Sequence, residues 1–172
     1  MQEQLDEIKR LLDSRGIKYE TSEHEPVYTS EDAARIRGEE LKTGAKALIF
    51  SISKAYRNLE EDPLLHRFKA GKEFILCIVP GNMKIDTKKL KEILSCRDVR
   101  MATPEEVLRV SGCEIGSVHP IGNIMGLKTY ADRRLFDNEY VNFNAGLHTT
   151  SIRMRSKDFL EIVKPEIVDY AR

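Results

Sequence analysis

Leu5, Ile8, Leu11 and Leu12 recur at three- and four-residue spacing and stop before Gly16, which predicts an amphipathic opening helix closed by a glycine. A short strand-like stretch, 17–19, follows. Thr29 and Asp32 have the spacing of a capping box and predict a helix through Ala33, Ala34 and Ile36 that ends at Gly38. Two apolar runs, 45–53 and 74–79, read as strands, the second ending at Pro80-Gly81; the polar segment 54–72 between them reads as a hairpin connection or an inserted excursion. Asp86 can cap a helix over 88–94. Thr103-Pro104-Glu105-Glu106 supplies a cap, a first-turn proline and a capping-box glutamate for a helix ending near Gly112. Residues 112–126 then carry four glycines and one proline with little periodicity, too punctuated for a linker and too irregular for a regular element. This is the candidate functional loop. Strand-like runs at 127–131, 140–144 and 151–154 alternate with turns, and Ser156 is placed to cap a last helix through Phe159, Leu160 and Val163. The pattern is α+β (mixed α/β), with strands central and late and helices at both ends, in one compact domain over 1–172. It leaves the topology open.

Composition narrows the setting. With 41% of its 172 residues hydrophobic and 33% charged, the chain can bury one substantial core. Basic and acidic residues balance at 28 each, so contact with RNA or an anionic membrane rests on local patches rather than net charge. Lys88, Lys89, Lys91, Arg97 and Arg100 form one basic cluster, and Arg153, Arg155 and Lys157 another; either can equally be a solvated face. Cys77, Cys96 and Cys113 lack the paired short spacing of a zinc site or a disulfide framework and read as reduced thiols. The charged start and the absence of a run of about 18 apolar residues exclude a leader or membrane span on pattern, and the expected location is cytosolic.

Three places carry candidate chemistry. Alternation along 45–53 puts Lys46 on the face of Leu48, Phe50 and Ile52, an unusual place for a cation. It either snorkels to water or offers a point charge at a pocket edge. The loop from Gly112 through Gly116, Ser117, His119 and Pro120 lets backbone approach a ligand closely and can supply amide donors to an ester oxyanion; it could also be a connection needed only for its turns. The third is the turn around Asn144, Gly146 and His148, with Asp132 shortly before it. His24, His119 and His148 titrate in the right range to move protons, yet isolated histidines are more often merely solvated. No metal-ligand spacing and no Ser/His or Cys/His pairing is present, so neither metal catalysis, nor a cofactor, nor a triad nucleophile is expected.

Taken in order, these pieces resemble the YbaK/ProX family, the prolyl-tRNA synthetase editing-domain superfamily. The resemblance runs through Glu23-His24-Glu25-Pro26-Val27, the Glu31-Asp32-Ala33-Ala34 helix start, Lys46-Ala47-Leu48-Ile49-Phe50, Val79-Pro80-Gly81, Ala102-Thr103-Pro104-Glu105-Glu106-Val107, Gly116-Ser117-Val118-His119-Pro120, Asp132 and Asn144-Ala145-Gly146. It implies a central twisted, mostly antiparallel barrel-like sheet flanked by helices, and hydrolysis of mischarged aminoacyl-tRNA in trans at a pocket bounded by the lysine and the GxxxP loop. On the same footing Lys46, Gly112 and Gly116 become the expected catalytic positions. Ser117, His119, Pro120, Asp132, Gly146 and His24 become the expected substrate contacts. The implied partners are the acceptor end of a mischarged tRNA and an aminoacyl-tRNA synthetase. Two departures leave the amino acid open among alanine, serine, threonine and cysteine: Ser22 stands where the cysteinyl-tRNA deacylases have tyrosine, and Ala47 where alanine-specific editors have asparagine. A non-catalytic module that holds aminoacyl-tRNA or a synthetase in the same pocket is the alternative.

Overall fold

The computed structural model describes residues 2–53 and 72–172. Helices α1 (Gln2–Ser14), α2 (Ser30–Arg37), α3 (Thr87–Leu94), α4 (Pro104–Ser111), α5 (Gly122–Met125) and α6 (Ser156–Val163) alternate with strands β1 (Tyr19–Glu23), β2 (Ala45–Ser53), β3 (Lys72–Pro80), β4 (Asp98–Met101), β5 (Lys128–Asp132), β6 (Tyr140–Leu147), β7 (Thr150–Arg155) and β8 (Glu166–Val168). The expected α+β class holds. The strands divide into a three-stranded antiparallel sheet, β1-β7-β6, and a five-stranded mixed sheet, β4-β2-β3-β5-β8, in which β3–β5 and β5–β8 run parallel. A parallel bridge between Gly44 and Asn142 connects the two sheets.

Local chemistry explains most boundaries. The hydroxyl oxygen of Thr29 accepts from the Asp32 amide at 3.1 Å and opens α2, which Gly38 closes at φ 66°. The Asp86 carboxylate accepts from the Lys88 and Lys89 amides at the start of α3, and the full Thr103/Glu106 capping box starts α4. Two expectations shift. The strand foreseen at 17–19 begins only at Tyr19, because the Ile17 amide still donates to Leu12 O in the closing turn of α1. Ser156 does not cap α6: Arg155 takes the cap position and the Ser156 hydroxyl donates to Asn138 O instead. The segment 54–71 lies outside the described residues; the strands it joins pair antiparallel from Ala45 opposite Pro80 to Ser53 opposite Lys72.

Alternation along β2 and β3 builds two cores. Ala45, Ile49, Leu76 and Ile78 face the space between the sheets, with Leu5, Ile8 and Leu12 of α1, Val107 of α4, Phe143 and Phe159. Phe50, Ile52, Ile75, Cys77 and Val79 face the other side, beneath Leu90 of α3 and Tyr170. Burial of apolar surface on both faces explains why β2 and β3 read as near-continuous hydrophobic runs. The three cysteines are buried free thiols.

Candidate active site

A cavity of about 230 Å³ opens where α2, the start of β2, the loop after α4 and the middle of β6 converge. Its apolar walls combine small residues, among them Ala33, Ala45, Ala47 and Ala102, with larger ones such as Leu48, Ile49 and Phe143. Polar groups gather among its other lining residues: Thr29, Arg37, Lys46, Gly116, Asn142 and Asn144. No histidine, cysteine or carboxylate lines it among the described residues.

Lys46 shares its strand face with Leu48, Phe50 and Ile52, as alternation predicts, and resolves the resulting conflict at the strand's first turn. Its half-buried amine donates to Met83 O at 2.5 Å. Burial lowers the amine's pKa, Glu31 opposes that shift and Lys84 adds to it. The cation lines the cavity and feels both a carboxylate of α2 and a second lysine.

Gly116 adopts φ 86°, and a Cβ there would approach His148 Cε1 to 3.2 Å. Its carbonyl accepts from Asn144 Nδ2 at 2.8 Å, and its amide takes no part in the backbone hydrogen bonding among the described residues. Asn144 is in turn steered by Arg37, whose Nη2 donates to Asn144 Oδ1 at 2.5 Å, Nη1 to Asn142 Oδ1 at 2.8 Å and Nε to Ser151 Oγ at 2.7 Å. Asn142 Nδ2 continues the array to Thr43 Oγ1 at 2.7 Å. Burial pushes the Arg37 pKa down to about 10, partly offset by Glu39. Glu39 is itself beside Arg153, with Nε 2.8 Å from Oε1 though without the alignment of a hydrogen bond.

Lys46 and Gly116 thus meet at one cavity. Gly112, Ser117, His119, Pro120, Asp132, Gly146 and His24 do not line it. Gly112 is the left-handed cap of α4, its amide donating to Leu108 O at 2.9 Å. Ser117 is buried and donates to Glu114 O at 2.9 Å, and Pro120 is buried beside it. His119 is fully buried, bonded to Gln4 Oε1 at 2.8 Å through Nε2 and accepting the Ile121 amide at Nδ1; burial pushes its pKa down to about 4, so it is neutral at pH 7. A Cβ on Gly146, which has φ 82°, would come within 2.9 Å of Gln4 Cβ. Gly112, His119 and Gly146 together form a socket for Gln4 of α1, behind the loop rather than in front of it. Asp132 is buried at the far end of β5, where it accepts from the amides of Arg134, Tyr170 and Ala171 and pairs with the Arg134 guanidinium at 3.0 Å. His24 reaches the polar array from outside, its Nε2 2.7 Å from Ser151 Oγ.

Of the two basic clusters, the α3 lysines are exposed, whereas Arg97 and Arg100 pair with Asp98 and Glu106. Arg153 stacks over Tyr140 at 3.8 Å. No group of three or more potential metal ligands occurs among the described residues, and no helix there is long and apolar enough to cross a membrane.

The fold is shared with solved structures. A crystal structure of a proposed trans-editing enzyme for prolyl-tRNA synthetase superposes with a TM-score of 0.77 over 98% of this chain and 97% of that one, at 24% identity. The hypothetical protein APE2540 does so at 0.78 over 96% and 99%, at 18% identity. The sequence profile of the aminoacyl-tRNA editing domain matches residues 24–162, and the chain belongs to that family. It is 29% identical over 163 residues to the multifunctional Ser/Thr-tRNA deacylase ProXp-y of Escherichia coli K12, covering 94% of this chain and 89% of that protein. It is 30% identical over 107 residues to the proline–tRNA ligase of Bacillus cereus G9842, covering 61% of this chain but only 19% of the ligase. The activity class is aminoacyl-tRNA deacylation, hydrolysis of the ester that joins amino acid to tRNA.

Proposed function

We propose that the protein acts in trans on mischarged tRNA as one editing domain, releasing a small noncognate amino acid from the acceptor end. Serine and threonine rank first within the alanine, serine, threonine and cysteine class, because the similar E. coli protein carries those two in its name. The cavity, at about 230 Å³, falls below the roughly 300–1,000 Å³ of ordinary ligand pockets and has room for an aminoacyl group.

The observation that carries the mechanism is the lining itself, which offers an alanine-rich wall, a lysine and Gly116 but, among the described residues, no histidine, cysteine or carboxylate. An ester is already activated, so water can attack its carbonyl carbon once the group is held and the developing oxyanion is stabilised. The Gly116 amide is the oxyanion donor in this reading, and Lys46 holds the terminal phosphate or the ester region. The new C–O bond forms from water, the bond to the ribose oxygen breaks, and that oxygen takes up a proton. Gly112 ends α4 so that the loop starts in the right direction. His119, Asp132 and Gly146 act by holding the surrounding frame. A synthetase is a further proposed partner, given the resemblance to a segment of proline–tRNA ligase.

Incubation with tRNAs charged with alanine, serine, threonine or cysteine tests the reading. Release of free amino acid supports it, and tight binding without release supports a holding module instead. Lys46→Ala should lower the rate on the order of a hundredfold while the fold survives, as for loss of one charge-stabilising group. Wild-type turnover in that variant removes the lysine from the chemistry.

A further inference from the structure

Arg37 is a part-buried guanidinium whose three described hydrogen-bond partners are all neutral oxygens, contributed by residues more than a hundred positions away in the chain. A cation used only to stabilise the fold would gain more from a hydrogen-bonded carboxylate; Glu39 supports the Arg37 charge across space and makes its close contact with Arg153. What the guanidinium provides here is geometry. Its rigid fork fixes two asparagine side chains on the same face of β6 at once, and it decides which way the Asn144 amide points. With Oδ1 committed to Arg37, Nδ2 must face the Gly116 carbonyl, and it does so at 2.8 Å. We propose that Arg37, acting through Asn144, is a positioning residue of the deacylation site that holds the Gly116 peptide in its productive orientation.

Gly116 has no side chain to anchor it, sits at a φ open to few residues, and belongs to a loop without regular structure. The adjoining Ser117 amide donates to Glu114 O, so the Asn144 contact is the tie that reaches Gly116 from across the cavity. The inference rests on the proposed role of the Gly116 backbone in holding the ester. The two can fail separately.

The test is single-turnover deacylation of whichever small aminoacyl-tRNA the wild-type protein hydrolyses, measured across enzyme concentration so that the rate constant and the half-saturating concentration are read independently. Arg37→Lys keeps the charge and loses the fork. Asn144→Asp keeps, and strengthens, the acceptor for Arg37 but turns a carboxylate oxygen toward the Gly116 carbonyl. Both should lower the rate constant about a hundredfold, the usual cost of an ångström-scale misplacement, with half-saturation changed less than about threefold. Asn144→Asp should also retain the wild-type thermal midpoint, which keeps the test valid if Arg37→Lys folds poorly. A wild-type rate constant in Asn144→Asp, or a loss in either variant confined to half-saturation, overturns the proposal; the latter makes Arg37 a simple anion contact. If the wild-type protein hydrolyses none of the substrates, the functional reading fails first.

Discussion

A buried and a part-buried charge show opposite uses of the same fold. Asp132 is saturated: three backbone amides and the Arg134 guanidinium converge on its carboxylate, and it does not line the cavity beside Lys46. It ties the end of β5 to the C-terminal residues. Among the described residues Arg37 is hydrogen-bonded to three neutral oxygens, keeps guanidinium N–H groups beyond those bonds, and lines the cavity. A fully satisfied buried ion fixes structure, whereas one bound by orientable amides at a pocket's edge transmits its geometry to the site. Residue type alone does not separate them, and the aspartate was the one singled out in the sequence.

The sharpest way to break this contrast is Asp132→Ala. It leaves three amides without their acceptor and Arg134 with Asp169 alone, and should cost about 3–5 kcal/mol, the range for removing one member of a buried ion pair. Urea unfolding measures it, and activity should follow the folded fraction. Arg37→Lys should do the reverse, with a large loss in rate and a smaller one in stability. Equal stability losses in the two variants would erase the distinction.

A third, intermediate effect concerns His119. Its folded pKa, about 4, lies below the unfolded value of about 6.5, so the unfolded chain binds a proton that the folded one refuses. The stability it contributes is complete above pH 6.5, is lost as pH falls toward 4 and changes no further below that. The loss should amount to a few kcal/mol. His119→Gln, which preserves a donor toward Gln4, should flatten this part of the curve of urea midpoint against pH. Deacylation measured well above pH 6.5 should not report His119 titration at all. The smallest effect is expected at Gly126, where φ is 65° but a Cβ would meet nothing within 4 Å. Alanine there should cost about 1 kcal/mol of backbone strain and leave the rate constant unchanged, a control for glycine substitutions in the same stretch of chain.

Much of this is legible in the sequence. The boundaries of α1, α2, α3 and α4 follow from their stop and cap residues, and β2 and β3 from unbroken apolar runs. Lys46 stood out because a charge interrupts one face of a strand, and the structure gives it a carbonyl and a cavity edge. Other features left little signal. β4 is four mostly exposed residues at a sheet edge, α5 is a single turn inside the glycine-rich loop, and β8 is three residues held by parallel pairing. The glycine near 146 read as part of a turn; it is an irregularity inside β6, which runs on to Leu147. The site missed most completely is the Arg37 array. Its members come from α2, β6 and β7 and meet only through tertiary pairing, so no spacing in the chain marks them. Gly112 is expected from the resemblance as a catalytic position and His119 and Gly146 as substrate contacts; in the structure all three gather around Gln4 of α1.

Selectivity for a small side chain gives the most direct test of the account. Rates of amino-acid release should be compared at equal enzyme concentration on one tRNA charged in turn with alanine, serine, threonine, leucine and phenylalanine. The account predicts hydrolysis of the small members and none above background for leucine and phenylalanine. Release that is indifferent to side-chain size, or absent across the whole series, would contradict it.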